Sequence, residues 1–482
     1  MKQNKQDDMQ QIIDNIEDKK DCVLALSFLT NKLCKSKYFI MLVDYITKNK
    51  NSFSLETQFF LYQQILLLKF KYDYAYSDDY QQKIDLLLYD ILENYRKKFQ
   101  QYDHQISKNQ IRKDFIIVVT DQFLGRGHAP TSLAMQWCDE LVKNGKRVLL
   151  INTAENCTPI GIIPFGEGVG IGNYISEYTE CDTMNVGSRR VPFFQCDQIM
   201  PNDNVLEMLL SLVEKERPEM IISLGDIIFS DLANRMVPVY TVALGYAMPR
   251  TFTKYRMLIG KKKYESDNLF LEHFGFSANS VIETDFTFSI PEQNEIHTRE
   301  EFNISDSTFC LMIIGNRLES DLTVEFLEAL NELLKDQRLF ALFVGDFDFE
   351  SIISSYENLP GRSKHIKYTS DLLSVIELGD LYINPKRLGG GTSAIYALKK
   401  GKPVITVDYG DVAFNVGEEF CVQDYAEMQK QVIRYLEDSP FYKKMSEQAI
   451  KKAKQLTEQD MALYKQVVEI ERREDLNHLA SL

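Results

Sequence analysis

The chain has 482 residues, 44% of them apolar and 26% charged, and a formal net charge of −15 at neutral pH. That length suits about three domains, the composition is that of an ordinary globular protein, and the acidic balance argues against a general nucleic-acid binder, which needs a positive surface. No apolar run reaches the ~18 residues of a membrane-spanning helix, and the polar, acidic beginning does not read as a secretory signal. The basic clusters Lys261–Lys263 and Lys451-Lys452 read as solvated faces. Eight cysteines (Cys22, Cys34, Cys138, Cys157, Cys181, Cys196, Cys310, Cys421) are scattered without a CxxC pair, and none of the six histidines has metal-ligand spacing. This predicts reduced thiols in a cytoplasmic setting, with neither a disulfide framework nor a metal site.

Residues 1 to about 110 contain no glycine and no proline. Leu24, Leu26, Phe28, Leu29 and Leu33 recur at helical spacing, as do Phe59, Leu61, Ile65, Leu66 and Phe70, and again Ile84, Leu87, Leu88, Ile91 and Leu92. The pattern predicts four or five antiparallel helices packed as a layer, with Ser52 or Ser54 starting the helix through Phe70.

The character changes at Asp114. Phe115–Thr120 reads as an apolar strand, Gly125–His128 as a loop, Pro130–Asn144 as a helix and Arg147–Ile151 as the next strand. This βαβ unit implies a parallel sheet covered by helices. Met220–Leu224 and Val237–Val242 add strands. A second series starts at Phe309–Ile314 and continues with a helix over Asp321–Lys335, a strand over Leu339–Val344, and Asp380–Ile383 running into a glycine turn. The stretch 265–307 lacks a clean pattern and reads as the connection between domains. The predicted fold class is α/β, two Rossmann-like domains facing across a cleft, preceded by an all-α domain. The boundaries are 1–110, 111–295 and 296–482, the last including C-terminal helices.

Three strand-end segments carry candidate chemistry, because ligands of such sheets bind at the carboxyl ends of strands. Gly125-Arg126-Gly127-His128 opens a helix, and His128 can position a donor phosphate, a sugar hydroxyl or an acceptor; the bland alternative is a cap of its own helix. Asn316-Arg317 follows the strand ending at Ile314. A guanidinium there can bind two phosphate oxygens, or can pair with Glu319 or Asp321 on the surface. The turn Lys386-Arg387-Leu388-Gly389-Gly390-Gly391-Thr392-Ser393 lets backbone approach a ligand, offers N–H groups at a helix start, and adds cationic side chains where phosphate would sit. Its alternative is a turn whose glycines serve packing only. Gly410-Asp411 after the next strand can close over a diphosphate or form a simple turn. Asp226, after the strand ending at Leu224, is a candidate base or a helix cap. The glycine-rich stretch Gly166–Gly172 lacks GxGxxG spacing and reads as a flexible loop.

With both domains in place, residues 113 to about 460 resemble a GT-B glycosyltransferase. Gly127–Gln136, with His128, Pro130, Thr131 and Ser132, is similar to the His-Pro-Thr-Ser segment of the protein O-GlcNAc transferase family, and Gly390–Ser393 through Thr406 to that family's diphosphate-binding turn. A helical domain ahead of GT-B fits that group and the related bacterial adhesin glucosyltransferases. The resemblance implies a UDP-sugar donor held by Gly127, Asn316, Lys386, Gly389, Gly390, Gly391, Thr392, Ser393, Tyr396 and Asp411, with His128, Arg317 and Asp226 catalytic. Leu388 and Tyr396 stand where many retaining members carry two glutamates, and Arg317 lies near the family's expected lysine.

The expected activity is transfer of a sugar from a UDP-sugar to an acceptor, a protein side chain or a glycan, with inversion. No cofactor is expected beyond the donor, and no metal, in agreement with the expected absence of an Asp-x-Asp motif of the metal-dependent sort. The helical domain would dock the acceptor or a partner subunit. The rival reading is a non-catalytic GT-B subunit that binds a glycosyltransferase or its protein substrate, with a nucleotide-sugar epimerase as a third.

Overall fold

The computed structural model describes residues 13–480 except 14, 34, 72–77, 126–127, 156–173, 246–247, 260–264, 285–286 and 459–460. The described residues form two compact units, one drawn from Met1–Asp285 together with Leu463–Leu482, the other from Phe286–Ala462. No described helix is long and apolar enough to cross a membrane.

Four described helices lead the first unit, Lys19–Leu33, Ser36–Asn49, Leu55–Lys71 and Asp78–Lys98. Each buries one stripe of residues three and four apart, such as Phe39, Leu42, Val43 and Ile46, or Ile84, Leu88, Ile91 and Tyr95. Of the two candidate serines, Ser54 starts its helix, its hydroxyl accepting the Thr57 N–H at 3.3 Å. The helix Asp78–Lys98 packs on its neighbours and also on the helices Ile228–Ala233 and Glu265–His273. Tyr89 lies 5.3 Å from the Phe252 ring and 5.4 Å from Phe274. The helical layer therefore shares one hydrophobic core with the sheet that follows it.

That sheet has eight strands: β1 (Arg112–Thr120), β2 (Arg147–Asn152), β3 (Thr183–Val186), β4 (Arg189–Gln195), β5 (Pro218–Leu224), β6 (Val239–Val242), β7 (Tyr255–Ile259) and β8 (Val281–Thr284). Their order is β3-β4-β2-β1-β5-β6-β7-β8, and every pairing is parallel except the β3–β4 hairpin. The run Phe115–Val119 sits centrally, with Ile116 opposite both Val148 and Met220, which explains why it is apolar without alternation. From β1 the chain continues to β2 on one side and later to β5 on the other, so the topological switch point lies between β1 and β5. The stretch 265–307, read from the sequence as holding the connection between domains, contains the boundary between the units at Asp285 and Phe286, and it starts with a helix and β8, which complete this sheet. β8 is four residues long, too short for a period to register.

The second unit holds β9 (Phe309–Ile314), β10 (Leu339–Val344), β11 (Ser363–Ile366), β12 (Leu381–Asn384), β13 (Val404–Val407) and β14 (Cys421–Val422). The order β11-β10-β9-β12-β13-β14 is all parallel and places the switch point between β9 and β12. This sheet has a hydrophobic core of its own. The expected helix Asp321–Lys335 is found as Val324–Leu333, preceded by the short helix Leu318–Asp321; Thr323 sets its start, accepting the Phe326 N–H at 3.3 Å. After the helices Tyr425–Glu437 and Ser439–Thr457, the chain from Leu463 belongs to the first unit. There the Glu140 carboxylate accepts the N–H groups of Leu463 and Tyr464 at 2.9 and 3.1 Å.

Candidate functional site

In the second unit the predicted residues come together at the switch point. Asn316 and Arg317 follow β9, the glycine turn follows β12, and Asp411 opens the helix Gly410–Val416 after β13. Arg317 Nη2 donates to the Leu388 carbonyl at 2.6 Å, tying the first loop to the second. Burial lowers the Arg317 pKa while Asp321 acts against it, and the group keeps its charge. Asn316 is exposed.

The turn's conformation explains its glycines. Gly389 and Gly390 have φ of +90° and +91°, and Gly390 is the N-cap of the helix Gly391–Lys399. The N–H groups of Gly391, Thr392 and Ser393 are the first three of that helix and precede its internal ladder. Thr392, half-buried, makes no side-chain hydrogen bond among the described residues. Ser393 is engaged, its hydroxyl 3.0 Å from the Gly390 carbonyl and 2.9 Å from Tyr382 Oη. Lys386 is exposed, with its ammonium 5.2 Å from the centre of the Tyr409 ring.

Two expectations need correction. Arg387 is not poised for phosphate: it is 5% exposed, and its guanidinium points inward. It donates to Ile314 O at 2.6 Å, Asn384 Oδ1 at 2.9 Å, Asp321 Oδ2 at 3.0 Å and Tyr382 Oη at 3.2 Å. Asp321 is thereby taken as an ion-pair partner by Arg387 rather than by Arg317. The Tyr396 hydroxyl lies at a long 3.5 Å from the Ser289 carbonyl. Finally, Asp346 and Asp348 do stand in Asp-x-Asp spacing. Asp348 caps the helix Phe349–Ile353, and Asp346 pairs with Lys367 at 3.1 Å.

In the first unit the candidates lie at the carboxyl ends of β1 and β5. His128 is the N-cap of the helix Ala129–Lys143 but makes no side-chain cap. Its Nδ1 lies 3.0 Å from Thr131 Oγ1, which also accepts the Leu124 N–H at 2.9 Å. Burial pushes the imidazole down to about 4, so it is neutral and weakly basic. Arg126, Gly127 and the loop Gly166–Gly172 lie outside the described residues.

Asp226 is half-buried and accepts the Arg250 N–H at 3.1 Å. Burial, followed by the neighbouring Asp231, pushes it up to about 7, while Arg250 and Arg256 act against the shift. That value suits a proton acceptor near neutral pH far better than the value of His128 does. Sequence reading missed the acids around it. Asp121 follows β1 directly and is 7% exposed, and Glu155 follows β2 and accepts the Ile228 N–H at 2.8 Å. Both are strand-end acids in the first βαβ unit, a signal present in the sequence.

No protein-family model matches the chain, and no curated protein matches it in sequence. Solved structures are similar to it in fold. An O-GlcNAc transferase of Thermobaculum terrenum, solved as a point mutant, aligns with TM-score 0.58 and 12% identity over 97% of this chain and 92% of its own. A glycosyltransferase of Rickettsia africae ESF-5 aligns with TM-score 0.52 and 14% identity over 74% of this chain and 97% of its own. Anabaena HepE, in complex with UDP and glucose, aligns with TM-score 0.51 and 15% identity over 76% and 100%. The chain thus has the fold of the GT-B glycosyltransferases, two Rossmann-like sheets, with a helical segment ahead of them.

Proposed function

We propose that the chain transfers a sugar from a UDP-sugar to an acceptor hydroxyl, with inversion. The observation that carries this reading is the meeting of Arg317, the glycine turn and the open helix start at the switch point of the second sheet. As the sugar–phosphate bond breaks, charge grows on the diphosphate. Arg317, the N–H groups of Gly391–Ser393 and the Thr392 hydroxyl offer donors that bind this charge more tightly in the transition state than in the ground state. These groups give the leaving diphosphate its stabilisation without a further cofactor. In the first unit Asp226 takes the acceptor's proton, and His128, neutral, orients a polar group.

A protein acceptor is supported by the extent of the likeness to the Thermobaculum O-GlcNAc transferase, which includes the helical segment. That segment is then the docking surface for acceptor or partner. The free cysteines described, such as Cys138 and Cys310, fit a reducing cytoplasm. A second reading, a non-catalytic subunit, is favoured by Leu388 and Tyr396 standing in place of the glutamate pair.

Calorimetric titration of the full chain with UDP, GDP and UDP-sugars separates the two. Saturable UDP binding is expected, weakened roughly two- to tenfold in Thr392→Val, the loss of one hydrogen bond. Arg317→Ala is expected to reduce turnover more than donor affinity. No binding of any nucleotide would reject the donor site and leave the subunit reading.

A further inference from the structure

The switch point of the first sheet carries an acid just past each of two adjacent strand ends, Asp121 after β1 and Asp226 after β5. β1 and β5 are adjacent and in register to their ends, with Thr120 opposite Leu224. Asp121 is the next residue on one strand, and Gly225 and Asp226 are the next on the other. The Asp121 carboxylate lies against Gly225, so close that a Cβ there would come within 3.2 Å of Oδ2.

The two environments differ. Asp121 is buried, and its Oδ1 has no hydrogen-bond partner. An ionised carboxylate held this way is costly unless paired. The described arginines Arg250 and Arg256 hold other groups as well as acting on Asp226. The Arg250 side chain lies 3.1 Å from Asp267 and 3.8 Å from Asp85 of the helical layer. Arg256, fully buried, donates to Thr251 O and Ser280 Oγ and stacks 3.8 Å from the centre of the Phe276 ring. Asp226, by contrast, is half-buried and holds the Arg250 N–H.

Resting on the reading of Asp226 as proton acceptor, we propose that Asp121 and Asp226 act as one unit. Asp121 is a positioning residue that keeps a proton behind Asp226, and Asp226 is the carboxylate that meets the acceptor hydroxyl. In the transfer step the acceptor O–H bond breaks towards Asp226, which takes the proton. The freed oxygen pair forms the bond to the anomeric carbon, and the sugar–phosphate bonding pair leaves on the diphosphate. Asp226 then returns its proton to water, and Asp121 keeps its own throughout.

The described charged and titratable neighbours bear on this balance. Burial and then the Asp226 charge push Asp121 up to about 7. Asp231, on the helix after Asp226, is pushed up to about 6 by burial, with Arg96 the strongest opposing charge. Glu155, at the end of β2, is pushed up to about 8 by burial, with Asp121 and Asp231 adding to the shift. Tyr62 of the helical layer feels Asp226, Asp85, Arg250 and Asp231. Arg250 and Arg256 favour ionisation at Asp226, the more exposed member.

Infrared pH titration of the full chain, without nucleotide or acceptor, tests the pairing directly. The wild type is expected to show a protonated-carboxyl band at neutral pH, part of which is missing in Asp121→Asn. In Asp226→Asn, with the neighbouring charge gone, the Asp121 component is expected to titrate about one pH unit lower or more. A band unchanged in Asp121→Asn, or a midpoint unmoved in Asp226→Asn, overturns the pairing. Asp226→Asn keeps the test open if Asp121→Asn fails to fold. The spectroscopic result does not depend on sugar transfer, so a failed UDP titration and a failed pairing remain separate outcomes.

Discussion

Arg387 is the residue on which the second unit's site is built, although it touches no ligand in the reading above. Its guanidinium joins Ile314 at the end of β9, Asn384 at the end of β12 and Asp321 in the helix between. Replacing it with alanine leaves a buried carboxylate and a buried carbonyl without their partner. Loss of one member of a buried pair costs about 3–5 kcal/mol, so Arg387→Ala is expected to lose that much in chemical denaturation. Arg387→Lys is expected to recover little, because an ammonium cannot fork towards several acceptors. A variant as stable as the wild type would show that the brace is dispensable. At this scale the sequence reading confused two adjacent cations. Lys386 and Arg387 look alike as charges in a glycine turn, and only three-dimensional placement sends one outward and the other into the core.

Among elements, the turn after β12 and the helix after β13 are matched to each other. Gly410 has φ of +75°, and a Cβ on it would come within 2.3 Å of the Arg387 carbonyl oxygen. Backbone stands opposite, so no side chain can move aside. Gly410→Ala is expected to destabilise the second unit by about 1–3 kcal/mol and to weaken UDP binding by displacing the turn. Unchanged affinity and stability would separate the turn's shape from this contact. The central strands and the helix after the glycine turn were legible because each is a long apolar run or periodic segment. The start of the following helix at Val324 rather than Asp321 was not, since the Thr323 cap competes only locally.

For the whole molecule, the units predict different outcomes on dissection. Residues 286–462 carry a complete sheet and a separate core, and are expected to fold alone and to bind UDP in calorimetry. A folded fragment without UDP affinity would show that this sheet does not suffice. Removal of residues 1–110 is a different matter. The helix Asp78–Lys98 covers Phe252 and Phe274 and contributes to the core of the first sheet. The truncated chain is expected to aggregate or to lose cooperative unfolding of the first unit, as followed by circular dichroism. A soluble, cooperative truncation product would show the layer to be a separable module.

By itself the sequence determined the helical layer, the two α/β series and the glycine turn, because hydrophobic period, glycine and proline punctuation and helix-start residues act over a few neighbours. It also carried the likeness to GT-B enzymes in short motifs at the right strand ends. Tertiary structure decided what depends on distant partners: that the layer and first sheet share a core, and that the chain from Leu463 returns to the first unit. It also turned Arg387 inward and set the Asp121 carboxylate against Gly225, the residue before Asp226. Asp121 and Asp226 are about a hundred residues apart along the chain, and parallel pairing of β1 with β5 brings them together. No local pattern encodes a contact that depends on strand order, since register and topology are settled only when both strands are buried in the same sheet.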